Sequence, residues 1–396
     1  MRLRGFVPRR IAAAPFWLLT AAAFLAPASP AHSQVDGAPI TLGTYRVLHS
    51  AILSEDRTLQ VHLPEGYGAG AATYPVLYVF YSDRVDGYFA QLVNDLSLLT
   101  ADRMPETILV GVPNTQRYRD LLPWPRPGGQ PGDGHADRFL RFVREELIPF
   151  VDREYRTKPY RIMVGPQAAA VFGIYSLLEA PGTFQAFILN DPCQIDNMQR
   201  SLCRELQALA GTPATRGLYF AVSHDEGERR WDRRPLDALR AALRANTAAG
   251  FRWSIELERD WPFFLAPVRA RAALLDLFRD YPFPSPERAA SLAEIRSHYD
   301  SLSATFGFSV DPPDLVLTLA GSSMVGRGMY PAALEVLNHL AALYPSSLNG
   351  PWQLANLHRL MGDTTTALRY YEECVRRNPD MTPARDWITR LRGGRN

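Results

Sequence analysis

The segment Gly165-Pro-Gln-Ala-Ala-Ala-Val-Phe-Gly-Ile-Tyr175 has the composition of a reactive turn. In a G-x-S-x-G turn a buried strand swings sharply into a helix. The central side chain is lifted above the sheet edge, where a serine hydroxyl meets a histidine base and attacks a carbonyl carbon. Gly165 and Ala169 supply the small flanking residues that such close strand-to-helix packing needs. The central position, however, is Gln167, whose carboxamide is neither a useful nucleophile nor an acid or base near neutral pH. The spacing fits nucleophilic acyl transfer, but the attacking oxygen is missing.

A turn of this kind needs a sheet to stand on. Between about residues 42 and 285, short β-rich runs alternate with helical stretches, the pattern of a sheet flanked by helices. Strand candidates are Arg57 to Leu63, Pro75 to Phe80, Thr107 to Val112, Arg161 to Val164, Ala186 to Asn190, Gly217 to Val222 and Arg252 to Leu257. The runs near 75, 107, 161, 186 and 217 are almost continuously apolar, which suits parallel strands buried on both faces. Phe139, Phe142, Val143, Leu147 and Phe150 recur at helical spacing and predict one long amphipathic helix from His135 to Tyr155. The expected fold class is α/β, a doubly wound sheet, with a smaller all-α domain behind it.

Several ordered motifs sharpen this reading. Asn114-Thr-Gln-Arg-Tyr-Arg-Asp-Leu-Leu-Pro123, Ala136-Asp-Arg-Phe-Leu-Arg-Phe-Val-Arg-Glu-Glu-Leu-Ile-Pro149, Tyr155-Arg-Thr157, the turn at Arg161 to Tyr175, and Leu218-Tyr-Phe-Ala-Val222 together resemble the esterase D and enterochelin esterase family of α/β-hydrolases. The resemblance covers roughly residues 42 to 280, and the later helices resemble the tail of some bacterial members. It implies a serine carboxylic-ester hydrolase ancestry with the motif Gly-His-Ser-Leu-Gly-Gly at the turn. On that alignment Gln167 falls on the nucleophile, Pro166 on the residue before it, and Ala168, Ala169 and Ala170 on those after it.

The same resemblance assigns the remaining roles. The backbone N–H of Ala168 is the first oxyanion donor and that of Ser82 the second, although Tyr81-Ser82 replaces the family's Asp-Gly. The triad acid falls just beyond the strand Gly217 to Val222, where His224-Asp225-Glu226 offers Asp225 and Glu226. The triad histidine falls in Glu258-Arg-Asp-Trp-Pro-Phe-Phe-Leu265, which has none. Losing nucleophile or base costs on the order of a millionfold in turnover. The expectation is therefore a homologue that binds without cleaving. Tyr81, Trp124, His224 and Trp261 are candidates to line its pocket, because open α/β sheets bind ligands at the carboxyl ends of their strands. Two alternatives stand beside it: ester hydrolysis through an unconventional site around Gln167, His224 and Asp225, or a scaffold acting through its helices alone. His224, Asp225, Glu226 and Asp260 lack metal-ligand spacing, so neither a metal nor a cofactor is expected.

The chain has 396 residues, 46% of them hydrophobic, enough for a sizeable core and two domains. Arg2, Arg4, Arg9 and Arg10 precede an apolar run from Ile11 to Pro27, and Ala31-His32-Ser33 follows as a small-x-small cleavage pattern. This predicts an export signal over 1–33, cut near Gln34, and a periplasmic or secreted protein without a membrane anchor. Removing it takes away four arginines and no acids, turning the net charge of +2 negative and leaving nothing that suggests nucleic-acid binding.

Cys193, Cys203 and Cys374 show no C-x-x-C spacing; the first two either pair or all three remain thiols. The predicted main domain is 34–285. After Pro282-Phe-Pro-Ser-Pro286, residues 286–396 hold helix formers in which Gly328, Ala333, Leu334 and Pro345 recur as Gly362, Ala367, Leu368 and Pro379. The offset is 34 throughout, the tetratricopeptide period, and predicts two repeats that either bind a protein partner or cap the main domain. The expected partners are thus a small-molecule ligand or a protein held by the repeats.

Overall fold

The computed structural model describes residues 41–393 except 66, 70, 82–85, 98–101, 114–115, 127, 193–201, 210, 216, 226–233 and 259–265. Eight strands form one sheet: β1 (Thr44–Ser50), β2 (Glu55–His62), β3 (Tyr74–Tyr81), β4 (Ile108–Pro113), β5 (Thr157–Pro166), β6 (Ala186–Asn190), β7 (Tyr219–Asp225) and β8 (Arg252–Glu258). Their order is β1-β2-β4-β3-β5-β6-β7-β8, with β1–β2 and β2–β4 antiparallel and every later pair parallel. The seven expected strands all form, with ends shifted by a few residues. The strand missing from the sequence reading is β1, an edge strand whose first four residues are exposed and which shows no buried alternation.

The helices of this region are α1 (Asp86–Ser97), α2 (Arg117–Leu121), α3 (Ala136–Phe142), α4 (Ile148–Glu154), α5 (Ala168–Glu179), α6 (Leu202–Glu205), α7 (Arg234–Ala245) and α8 (Ala266–Leu277). The central strands are apolar throughout because alternate residues serve opposite layers. Val76, Tyr78 and Phe80 join Met163, Phe187 and Phe220 in a core with α3, α4, α5 and α7. Leu77 and Val79 join Ile162, Val164, Ile188 and Ala221 in the opposite core with α1 and α8. The doubly wound α/β sheet is confirmed. One expectation needs correction: the helix predicted for 135–155 is split by a π-helical stretch, Val143–Leu147. Pro149 sits at the start of α4. Its missing N–H and bulky ring are incompatible with uninterrupted α-helical bonding to the preceding turn, and the wider π turn absorbs the misfit.

Six further helices follow: α9 (Leu292–Phe306), α10 (Asp314–Gly326), α11 (Tyr330–Leu343), α12 (Asn349–Leu360), α13 (Thr364–Arg377) and α14 (Thr382–Gly393). The 34-residue offset is visible in backbone hydrogen bonds. Met329 N–H donates to the Met324 carbonyl and Asp363 N–H to the His358 carbonyl, each at 2.9 Å, closing the turns at Gly328 and Gly362 in the same way. Small Gly321 faces Leu337, and Ala355 shares a buried cluster with Tyr371, at equivalent positions of α10–α11 and α12–α13. Residues of α9 to α12, among them Tyr299, Leu317 and Leu337, belong to the same buried cluster as Leu77, Val79 and Ile162 of the sheet. The rings of Phe306 and Phe308 pack on Tyr160 at 5.5 and 5.2 Å. Helices α9 to α12 therefore share a core with one sheet layer, whereas α13 and α14 bury Ala367, Tyr371 and Ala384 in a separate cluster with Ala355 of α12.

Candidate functional site

The sharp turn lies where β5 ends and α5 begins. Gln167 has φ +52° and ψ −115°, a backbone state that side-chain-bearing residues seldom adopt. Gly165 is required just before it: a Cβ there would stand 2.7 Å from the Ala169 carbonyl carbon, so the strand and helix approach at backbone distance. Ala168, Ala169 and Ala170 are all buried, while Gln167 is half-buried and its side chain caps nothing on α5. The carboxamide is thereby held at the carboxyl edge of the sheet. The N–H of Ala168 belongs to the first turn of α5, where it has no acceptor within the helix.

Neighbouring strand ends hold this backbone. Gln167 N–H donates to the Asn190 carbonyl at 2.8 Å, and Asp191 N–H donates to the Ser223 carbonyl at 2.8 Å. Asn190 Nδ2 donates to Ser223 Oγ at 2.6 Å. Asp191 also has positive φ, +56°, and its carboxylate pairs at 3.2 Å with Arg269 Nη1 of α8, both side chains being buried. Such a pair is costly to leave half-made, so it fixes the strand end beside the elbow. Beneath it, Ile188, Val222, Ser223, Ser254 and Arg269 line a cavity of about 10 Å³, room for roughly one water.

The other predicted site residues are distributed as follows. The backbones of His224 and Asp225 close β7 in register with Leu257 and Glu258, and that of Tyr81 closes β3 opposite Pro113. The side chains of Tyr81, His224 and Asp225, together with Ser82, Glu226 and Trp261, lie outside the described residues. So do the predicted signal over 1–33 and Cys193. Trp124 is half-buried and packs against the core that contains Ala168 and Ala169. Cys374 is a buried free thiol, pushed up to about 12 by burial. Among the described residues no group of three or more His, Cys, Asp or Glu is placed to hold a metal, and no helix is long and apolar enough to cross a membrane.

A second polar assembly, which the sequence reading did not pick out, borders the elbow. Arg57, 4% exposed, pairs with Asp120 at 2.6 Å; Asp120 also receives Arg119 Nε at 2.7 Å, and Arg119 grips Glu55 through both Nη atoms. The Arg119 guanidinium holds the Glu55 carboxyl below its usual range. This network anchors α2, which packs against α5. The only prior signal was the Arg119-Asp120 pair inside the 114–123 motif.

Comparison with known proteins agrees with this architecture. Residues 50–232 match the family described as "Putative esterase", and residues 352–380 match a tetratricopeptide repeat. The uncharacterized protein YjcH of Bacillus subtilis is 28% identical over 147 residues, 35% of this chain and 57% of that protein. The ferri-bacillibactin esterase BesA of the same organism is 29% identical over 145 residues, 31% of this chain and 48% of that protein. The chain thus spans about half the length of these curated relatives. An IroE-like serine hydrolase from Shewanella oneidensis superposes with a TM-score of 0.63 at 21% identity, covering 76% of this chain and 99% of that one. The resemblance read from the sequence holds over residues 50–232, and the fold is shared with the IroE-like serine hydrolase.

Proposed function

Starting from an esterase-family segment over residues 50–232, we propose that this protein is an exported, non-hydrolytic member of that fold group, which retains a carbonyl-containing ligand at the elbow without cleaving it. The observation that carries the reading is Gln167 itself, an amide held at φ +52° on the turn where the chemistry requires a hydroxyl. A carboxamide has no proton-transfer role near neutral pH, but it donates and accepts hydrogen bonds. Beside the N–H of Ala168 it suits an ester or amide carbonyl in its ground state. Since catalysis depends on binding the transition state better than the substrate, a site with neither nucleophile nor base would hold an ester rather than turn it over. The relative named as a ferri-bacillibactin esterase makes an ester-containing siderophore one reasonable ligand to test. The basic, apolar and small-x-small segments of residues 1–33 support export.

The test is an assay of the purified chain against short-acyl p-nitrophenyl esters. No turnover above background is expected, and Gln167→Ser alone should not restore it, because the histidine base is missing as well. Turnover by the unmodified chain that disappears in Asp225→Ala would instead establish the unconventional hydrolase. N-terminal sequencing of the mature protein should begin near Gln34. A second reading rests on the repeat match at 352–380: the helical stack holds a protein partner, and deletion of α13–α14, whose buried residues lie in a cluster apart from the sheet, would remove that capture while leaving ligand retention in place.

A further inference from the structure

We propose that the segment bordering the elbow carries a subsite for an aromatic carboxylate, formed by Arg117 and Arg126 around Tyr118, with Trp124 supplying an apolar wall. The guanidinium carbon of Arg126 lies 3.4 Å from the centre of the Tyr118 ring, and that of Arg117 lies 4.7 Å from it. Two cations therefore share one aromatic ring. Their acids are unequally assigned. Asp133 stands 3.7 Å from Arg126 Nε and also accepts the Gln130 N–H, so it is committed to Arg126 and its own turn. The nearby acids Glu55 and Asp120 are paired with Arg57 and Arg119, two charges against two.

Arg117 is exposed and, among the described residues, has no carboxylate partner. Arg126 Nε is buried and faces Asp133. One positive charge, that of Arg117, is left over, which matches a single carboxylate.

Backbone contacts tie down the chain around Tyr118 and Trp124, and the ring of Tyr118 packs against both guanidinium groups. Gly134, at φ +89°, runs so close to Trp124 and Pro125 that a Cβ would stand 2.4 Å from their backbone. The N–H groups of Gly134, His135 and Ala136 donate to the carbonyls of Tyr118, Arg119 and Leu122 at 3.0, 2.7 and 3.0 Å. Preorganised arginines lose little freedom on binding and favour planar carboxylates, while the half-buried Trp124 suits a flat apolar body. The segment leaves the carboxyl end of β4, which is parallel to β3 and β5, and α2 packs against α5, so the subsite lies at the same edge of the sheet as Gln167. The assignment rests on the binding reading above and names the ligand class that reading leaves open.

The experiment titrates the full chain with 4-nitrobenzoate and with uncharged 4-nitrobenzamide by calorimetry. The carboxylate is expected to bind about tenfold or more tightly than the amide, with affinity falling as salt is raised. Arg117→Gln should weaken the carboxylate by about tenfold and leave the amide unchanged. Arg126→Lys keeps the charge but not the fork and should weaken it less than Arg126→Gln does. Unchanged circular dichroism melting would show that Tyr118 packing has survived. Equal binding of the two probes, no detectable binding of the carboxylate, or carboxylate affinity unaltered in Arg117→Gln would overturn the subsite. Hydrolysis of p-nitrophenyl esters with this charge selectivity intact would overturn only the non-hydrolytic reading.

Discussion

Two parts of the molecule force the backbone to positive φ, and they meet that demand differently. At the repeat turns the residues are glycines, Gly328 at +72° and Gly362 at +82°, with nothing within 4 Å of a Cβ added at either. At the elbow the residue is Gln167, at +52°. Glycine adopts such angles freely, whereas a side-chain-bearing residue pays roughly 1–3 kcal/mol and persists only where its surroundings over-determine the conformation. The repeat turns thus need only a backbone shape. The elbow keeps a side chain where the cheaper solution was open, and it is braced by the two neighbouring strand ends, β6 and β7, through Asn190, Asp191 and Ser223.

The comparison breaks most easily at the brace. Arg269→Met removes the cation that faces the buried Asp191 carboxylate and should cost about 3–5 kcal/mol in urea unfolding, with Asp191→Asn in the same chain recovering most of it. A loss below about 1 kcal/mol would mean that the elbow is held by something else. The next test exchanges the residues. Gly362→Gln should cost roughly 1–2 kcal/mol for torsional reasons alone, since the space around it is open. Gln167→Gly should do the reverse and stabilise the chain by up to about 1 kcal/mol while abolishing carbonyl-ligand retention. If Gln167→Gly leaves both stability and binding as they were, the side chain is a relic of the turn and not part of a site.

These same places mark how far the sequence could be read. The central strands were legible because each is buried on both faces, so their apolar runs are continuous; β1 was not, because Thr44, Tyr45, Arg46 and Val47 are exposed and carry no such pattern. The repeats were legible through Gly328 and Gly362, whose backbone angles few other residues tolerate. Gln167 was legible from the small residues around it. What surrounds it was not: Asn190 and Ser223 lie 33 positions apart, and Asp191 and Arg269 lie 78 apart. Polar contacts across such intervals follow from strand order and register, which one sequence does not encode locally. The stacking of Arg117 and Arg126 on Tyr118 was hidden for the same reason, because it depends on the turn through Gly134.

The smallest expected effect concerns whether the two regions behave as one unit. Asp102, half-buried in the segment leading to β4, is raised by burial to about 7 from its ordinary 3.8, with Arg103 opposing the shift. Its charge is felt by Tyr281 and by Tyr299 and Tyr344 of the helices beyond Leu292. The folded chain therefore holds this proton more tightly than the unfolded chain does. The resulting stabilisation is complete below pH 3.8 and is lost as pH rises through about 7. Asp102→Asn should remove this part of the pH dependence without backbone strain, since asparagine tolerates the residue's φ of +41°. Because one buried cluster runs from Leu77 and Val79 to Tyr299 and Leu337, tryptophan fluorescence and far-ultraviolet dichroism should show the same flattened pH profile in that variant. Separate transitions, only one of them altered, would show that the helices unfold independently of the sheet.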